Sequence, residues 1–204
     1  MVSEFLLLAT VNAFAVASPG ADFAVVVRNT LRGGKSIGVA TATGIGLGLL
    51  VHITYTLLGV AFILAKSDLI FITIKYLGAS YLLWLAFKSF QSKKVKSNLS
   101  SEQPHIEMTT AQAIKQGFVV NVLNPKVTLF FVAIFTTTVS SKTSIGIQAL
   151  YGVWICVYAA LWFSLVAWSF SRQVILKWYQ EHGHFIDWGM GCILVLIAAR
   201  LIFS

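Results

Sequence analysis

Charge is what this chain has least of. Only 11% of its 204 residues are Asp, Glu, Lys or Arg, against ~25% in an ordinary soluble domain, while 57% are hydrophobic and the mean hydropathy is +0.82. So little charge cannot cover a water-exposed surface, which excludes the soluble globular class and points to a membrane protein. Cysteine is nearly absent too. Cys156 and Cys192 form no Cys-x-x-Cys pair and have no neighbouring His or carboxylate cluster, so no metal site is expected and both read as small buried thiols. His105, His182 and His184 read as loop residues. No phosphate loop, nucleotide fingerprint or nucleophile elbow occurs, so neither an enzyme nor a cofactor is expected. Acidic residues number seven against fifteen basic ones, a formal charge of +8. The basic residues lie in short connections between apolar runs rather than along an aromatic-lined groove, so nucleic acid is not an expected partner.

What is abundant is long apolar sequence. Six segments reach the ~20 residues that a spanning helix needs, near 4–27, 37–65, 69–90, 112–138, 146–171 and 185–203. Lys and Arg concentrate in alternate connections: Arg28, Arg32 and Lys35; Lys88, Lys93, Lys94, Lys96 and Lys115; Arg172 and Lys177. By the positive-inside rule these face the cytoplasm and both termini lie outside. Six tryptophans fall mostly toward span ends, as an aromatic belt requires. The N-terminal residues carry Glu4 and no Lys or Arg, so no cleaved signal peptide is expected. A polar linker, 92–110, separates a first three-helix unit, 1–91, from a second, 111–204. An odd number of spans per unit inserts the second upside down relative to the first. The expected fold is therefore an all-α membrane protein with six transmembrane helices in two inverted three-helix repeats.

Proline is the third scarcity, and its placement is informative. Of three prolines, Pro19 and Pro125 lie inside apolar segments, in Ser18-Pro19-Gly20 and Asn124-Pro125-Lys126, at corresponding places in the two halves. Each removes a backbone hydrogen bond and frees a carbonyl one turn back, at Ala15 and Asn121, which hydrocarbon cannot satisfy. Helices 1 and 4 are thus expected to be broken and to hold a substrate between them. Asn121, Asn124 and Thr128 share a face of the fourth span, and Ser18 and Asp22 are one turn apart in the first. Gly44, Gly48, His52, Tyr55 and Gly59 make a stripe of small and polar residues, in which Gly44 to Gly48 permits close helix approach, within the chain or in a homo-oligomer. Each polar residue also has a structural reading. An Asn or Ser in a spanning helix is more often an interhelical bond than a ligand, Asp22 could reach Arg28 or the interface, and Lys75 could snorkel. Lys126 resists that reading, because a lysine near mid-membrane costs ~2.5 to 3.5 kcal/mol and needs a partner, water or a substrate carboxylate.

The ordered set Ser18-Pro19-Gly20-Ala21-Asp22-Phe23, Gly44, Gly48 and His52, Lys75 to Trp84, Gly117 to Lys126 and Ile186-Asp187-Trp188-Gly189 resembles the LysE/RhtB amino-acid exporters, closest to the threonine and homoserine efflux branch. It departs once: the family's Pro-Gly-Pro has Ala21 in place of the second proline. The resemblance implies proton-driven efflux of small neutral amino acids across a bacterial cytoplasmic membrane, with the amino acid, protons and lipid as partners. Residues suited to such a substrate are Ser18, Pro19, Gly20, Asp22, Asn121, Asn124, Pro125 and Lys126, with Asp22 and His52 as proton carriers and Lys75 and Tyr81 along the pathway. Lys126 and the amides after the breaks would receive the carboxylate; the carbonyls of Ala15 and Asn121, with Asp22 and the Asn side chains, would receive the ammonium. The alternatives are a membrane thiol-disulfide carrier, which needs two cysteines that meet, and a passive channel.

Overall fold

Predominantly apolar sequence with few breakers makes each long segment helical; α4 opens at the capping Thr109 and α5 at Pro125. The computed structural model describes residues 2–17, 20–64, 68–92, 107–138 and 143–203. Among these the elements are α1 (Val2–Ala17), α2 (Ala21–Leu64), α3 (Asp68–Phe90), α4 (Thr110–Val122), α5 (Pro125–Thr138), α6 (Ile145–Phe170) and α7 (Gln173–Phe203), with no strand. Ser18, Pro19 and most of the linker, including His105, lie outside the described residues. The first and fourth apolar segments are each divided, α1 ending at Ala17 before α2 begins at Ala21, and α4 ending at Val122 before α5 begins at Pro125.

Two boundaries differ from the sequence expectation. Residues 28–36, expected as a connection, are helical apart from Gly34, whose φ of 82° and ψ of 173° turn the chain back. A side chain at that φ would be strained, so glycine is required there. The two arms of α2 then pack on each other: the Asn29 amide donates to Thr41 Oγ1 at 2.9 Å and to Gln116 Oε1 on α4 at 2.8 Å, and a Cβ on Gly38 would stand 2.0 Å from Thr30 Oγ1. At the other end α7 starts at Gln173, so His182 and His184 are helical rather than in loops, and His184 is buried. Polar residues disguised that amphipathic stretch, whose face bearing Leu176 and Tyr179 packs into the core.

Helix α2 packs most extensively on α4 and α6, and α3 on α7. The α2–α4 seam is exceptionally close. A Cβ on Gly44 would lie 2.0 Å from the Ile114 carbonyl, one on Gly48 2.7 Å from Asn121 Oδ1, and one on Gly117 2.1 Å from the Thr41 carbonyl. The small-residue face is therefore spent inside the chain, against α4, and the reading of Gly44 to Gly48 as a homo-oligomer face is corrected. α4 opens with Thr109 and Gln112 bonded reciprocally as a capping box. On the outside of α6, Leu150, Val153, Val157, Leu161 and Leu165 form an exposed apolar stripe at helical spacing. The stretches Ala21–Gly59 and Ile145–Phe170 are long and apolar enough to cross a membrane.

Candidate functional site

The break after α4 is built by three residues. Pro125 has no N–H with which to continue the ladder, so the last turn tightens: Leu123 N–H donates to the Val119 carbonyl at 3.1 Å and Asn124 N–H to the Asn121 carbonyl at 2.9 Å. Proline then starts α5 with Asn124 as its cap. Asn124 Oδ1 accepts from the Lys126 N–H at 3.0 Å, and the Asn124 carbonyl accepts from Val127 and Thr128.

The Asn121 carbonyl has a second donor, His52 Nε2, at 3.0 Å. A carbonyl only accepts, so the partners assign the proton to Nε2, and Nδ1 of the neutral ring accepts from the Tyr55 hydroxyl at 2.6 Å. The oxygen that proline deprives of its helical partner is thus satisfied by protein, and the expectation that it binds a substrate ammonium is corrected. Its side chain does other work: Asn121 Nδ2 donates to Asp22 Oδ2 at 3.0 Å. Asp22 is in the first turn of α2, where a helix terminus favours negative charge, and it is only 8% exposed. It turns inward to Asn121 instead of reaching Arg28 or the interface.

Lys126 brings the two breaks together. A Cβ on Gly20 would stand 3.5 Å from Lys126 Nζ, so the ammonium from the second break lies over the chain at the first. The same charge attracts Asp22 and also Asp187 on α7. Around these groups is a cavity of about 50 Å³, room for a few waters. Asn12, Gly20, Asp22, Asn121, Asn124 and Lys126 give it a polar side; Ile45, Leu49, Phe131 and Phe163 are among its apolar walls. Asn12 Nδ2, Asp22 Oδ1 and Asn121 Oδ1 are buried with no hydrogen-bond partner among the described residues. Each such group costs ~1 to 3 kcal/mol unless water or a ligand meets it.

Of the residues expected at a site, Gly20, Asp22, Asn121, Asn124 and Lys126 line one cavity, while Pro125 opens α5 beside it. His52 stands behind Asn121. Ser18 and Pro19 lie outside the described residues, as does the side chain of Lys75. Tyr81 does not reach the cavity; it stacks on Trp84 of its own helix, ring centroids 5.5 Å apart. Sequence reasoning passed over Asn12 and gave Asp187 no role. The signal for Asn12 was an amide alone in an apolar run.

Residues 13–204 match the family profile described as LysE type translocator. The chain belongs to the LysE family. This LysE-family chain is 28% identical to the uncharacterized membrane protein YahN of Escherichia coli (strain K12) over 96% of its own length and 88% of that protein's. It is 35% identical to the uncharacterized membrane protein YrhP of Bacillus subtilis (strain 168), over 75% and 76% of the two chains, and 27% identical to a threonine efflux protein of Salmonella typhi over the whole of both. No solved structure matches it. In this LysE-family membrane protein α6 carries its apolar stripe on the exposed side of the helix.

Proposed function

We propose that this protein is a secondary active exporter of small neutral amino acids such as threonine or homoserine, coupled to protons, in a bacterial cytoplasmic membrane with both termini outside. Its six spans are α1 with the first arm of α2, the second arm of α2, α3, α4 with α5, α6, and α7, so that the first and fourth are the interrupted ones. The mutual packing of α3 and α7, the third spans of the two halves, supports an inverted repeat, since a two-fold axis brings corresponding elements together.

The observation that carries the reading is Lys126 Nζ lying over Gly20, within one cavity with Asp22. A zwitterion needs positive potential for its carboxylate and acceptors for its ammonium. Lys126 and the first amides of α2 supply the former. Asp22 Oδ1 and Asn121 Oδ1 supply the latter, both buried and unpartnered among the described residues. A proton and a substrate ammonium then compete for one carboxylate, which is what exchange requires. His52 can take a proton on Nδ1 only if the Tyr55 hydroxyl turns from donor to acceptor, so its charging is tied to a rearrangement beside the α4–α5 break. A threonine efflux protein aligns along the full chain, which supports the substrate class.

The test is export of radiolabelled threonine from loaded cells or proteoliposomes. The wild type exports against a concentration gradient and loses that ability when the proton gradient is collapsed. Asp22→Asn and Lys126→Ala, at normal abundance, export at least tenfold more slowly, the effect expected for removing a charged partner of the substrate (about 1.5 to 3 kcal/mol). Unchanged rates in both variants remove these residues from the mechanism, and downhill flux indifferent to the proton gradient marks a passive channel.

A further inference from the structure

Asn12 sits in the middle of α1, only 1% exposed, among buried Leu8 and Val11. The usual role of an asparagine in a spanning helix is a hydrogen bond to another helix. Asn12 does not play it: Nδ2 is buried and unpartnered among the described residues, and the side chain lines the same cavity as Asp22, Asn121 and Lys126. A buried amide left open in an apolar run is a position held for something that enters the cavity.

We propose that Asn12 is the specificity-determining residue of this site, its amide bonding a hydroxyl or similar polar group on the substrate's side chain. The proposal rests on the transport reading above. The charged ends of a zwitterion are claimed elsewhere, the carboxylate by Lys126 over Gly20 and the ammonium by Asp22 and Asn121. Asn12 lies five residues before the end of α1, about 7.5 Å of helical rise back from the break, which leaves it for the substrate's side chain. An amide offers both donor and acceptor, and a hydroxyl is both as well, so one hydroxyl satisfies either face of the group. Ile45, Leu49 and Phe131 are apolar walls of the cavity, so a side chain lacking that hydroxyl finds apolar contacts but leaves the amide unpaired.

Threonine and valine differ by one hydroxyl for one methyl, and the test is their relative export by proteoliposomes of the wild type, Asn12→Leu and Asn12→Ala. The wild type favours threonine; in both variants the threonine-to-valine ratio falls about tenfold, the worth of one hydrogen bond. Removing an unpaired amide also leaves the melting temperature of Asn12→Leu at or above the wild type's, so loss of function by misfolding is visible separately. A wild-type ratio in variants that still export overturns the assignment of Asn12 alone. Absence of amino-acid export by the wild type overturns the transport reading and this one with it.

Discussion

Gly117→Ala tests whether the site depends on the close α2–α4 seam. The added methyl would stand 2.1 Å from the Thr41 carbonyl oxygen and 3.0 Å from its carbon, where ordinary contact begins at 3.4 Å. Both contacts are backbone, so no side chain can turn aside, and α4 must back away from α2 by about 1 Å or more. The bonds from His52 Nε2 to the Asn121 carbonyl and from Asn121 Nδ2 to Asp22 cross to α4 at 3.0 Å, and the same shift stretches them past hydrogen-bonding range. Overpacking costs about 1 to 3 kcal/mol, and each of the two broken bonds adds about as much, so the total is on the order of 3 to 9 kcal/mol. For a chain of this size that lowers the melting temperature by roughly 10 °C or more. Thermal unfolding of the purified protein in detergent, paired with threonine export, reads both consequences. Gly189→Ala is the control, because a Cβ there meets nothing within 4 Å. A Gly117→Ala protein that melts with the wild type and exports normally refutes the argument that this seam holds the site together.

Three other substitutions separate roles. His52→Gln keeps an amide donor for the Asn121 carbonyl but cannot titrate, so it should fold and exchange substrate downhill while losing accumulation against a gradient; full accumulation removes His52 from proton coupling. Cys156→Ser with Cys192→Ser should leave export unchanged, since one thiol is buried in α6 and the other exposed on α7; lost transport with normal folding would revive a thiol-disulfide carrier. Phe23, held in an aromatic trio with Phe170 and Tyr179, borders both the polar cavity and an apolar groove of about 230 Å³. Phe23→Ala joins the two spaces and should raise leucine export relative to threonine several-fold, at about 3 to 5 kcal/mol of stability; an unchanged ratio shows that Phe23 is not a barrier between them.

Much of this was legible along the chain, for identifiable reasons. Scarcity of charge and long apolar runs dictate helices, because solvent and backbone chemistry act on any segment of that composition regardless of its neighbours. The break at Asn124-Pro125-Lys126 is local too: a missing N–H and an Asn cap within three residues leave no alternative. The small-residue face of α2 was readable as a place of close approach, but its partner was not, since spacing describes one surface and never the surface it meets. His182 and His184 were misread because polar residues on an amphipathic helix resemble a loop until Leu176 and Tyr179 are seen in the core.

Sequence by itself determined that the chain is helical, that two helices are interrupted, and which rare polar and charged groups were available to a site. Only the tertiary structure decided that Lys126 lies over Gly20, that His52 donates to the Asn121 carbonyl, and that Asn12 lines the cavity with its Nδ2 unpartnered among the described residues. Those pairings join residues as much as 106 positions apart, such as Gly20 and Lys126, through crossing distances set by glycine-lined seams, and no property of either segment alone encodes how closely the two will approach.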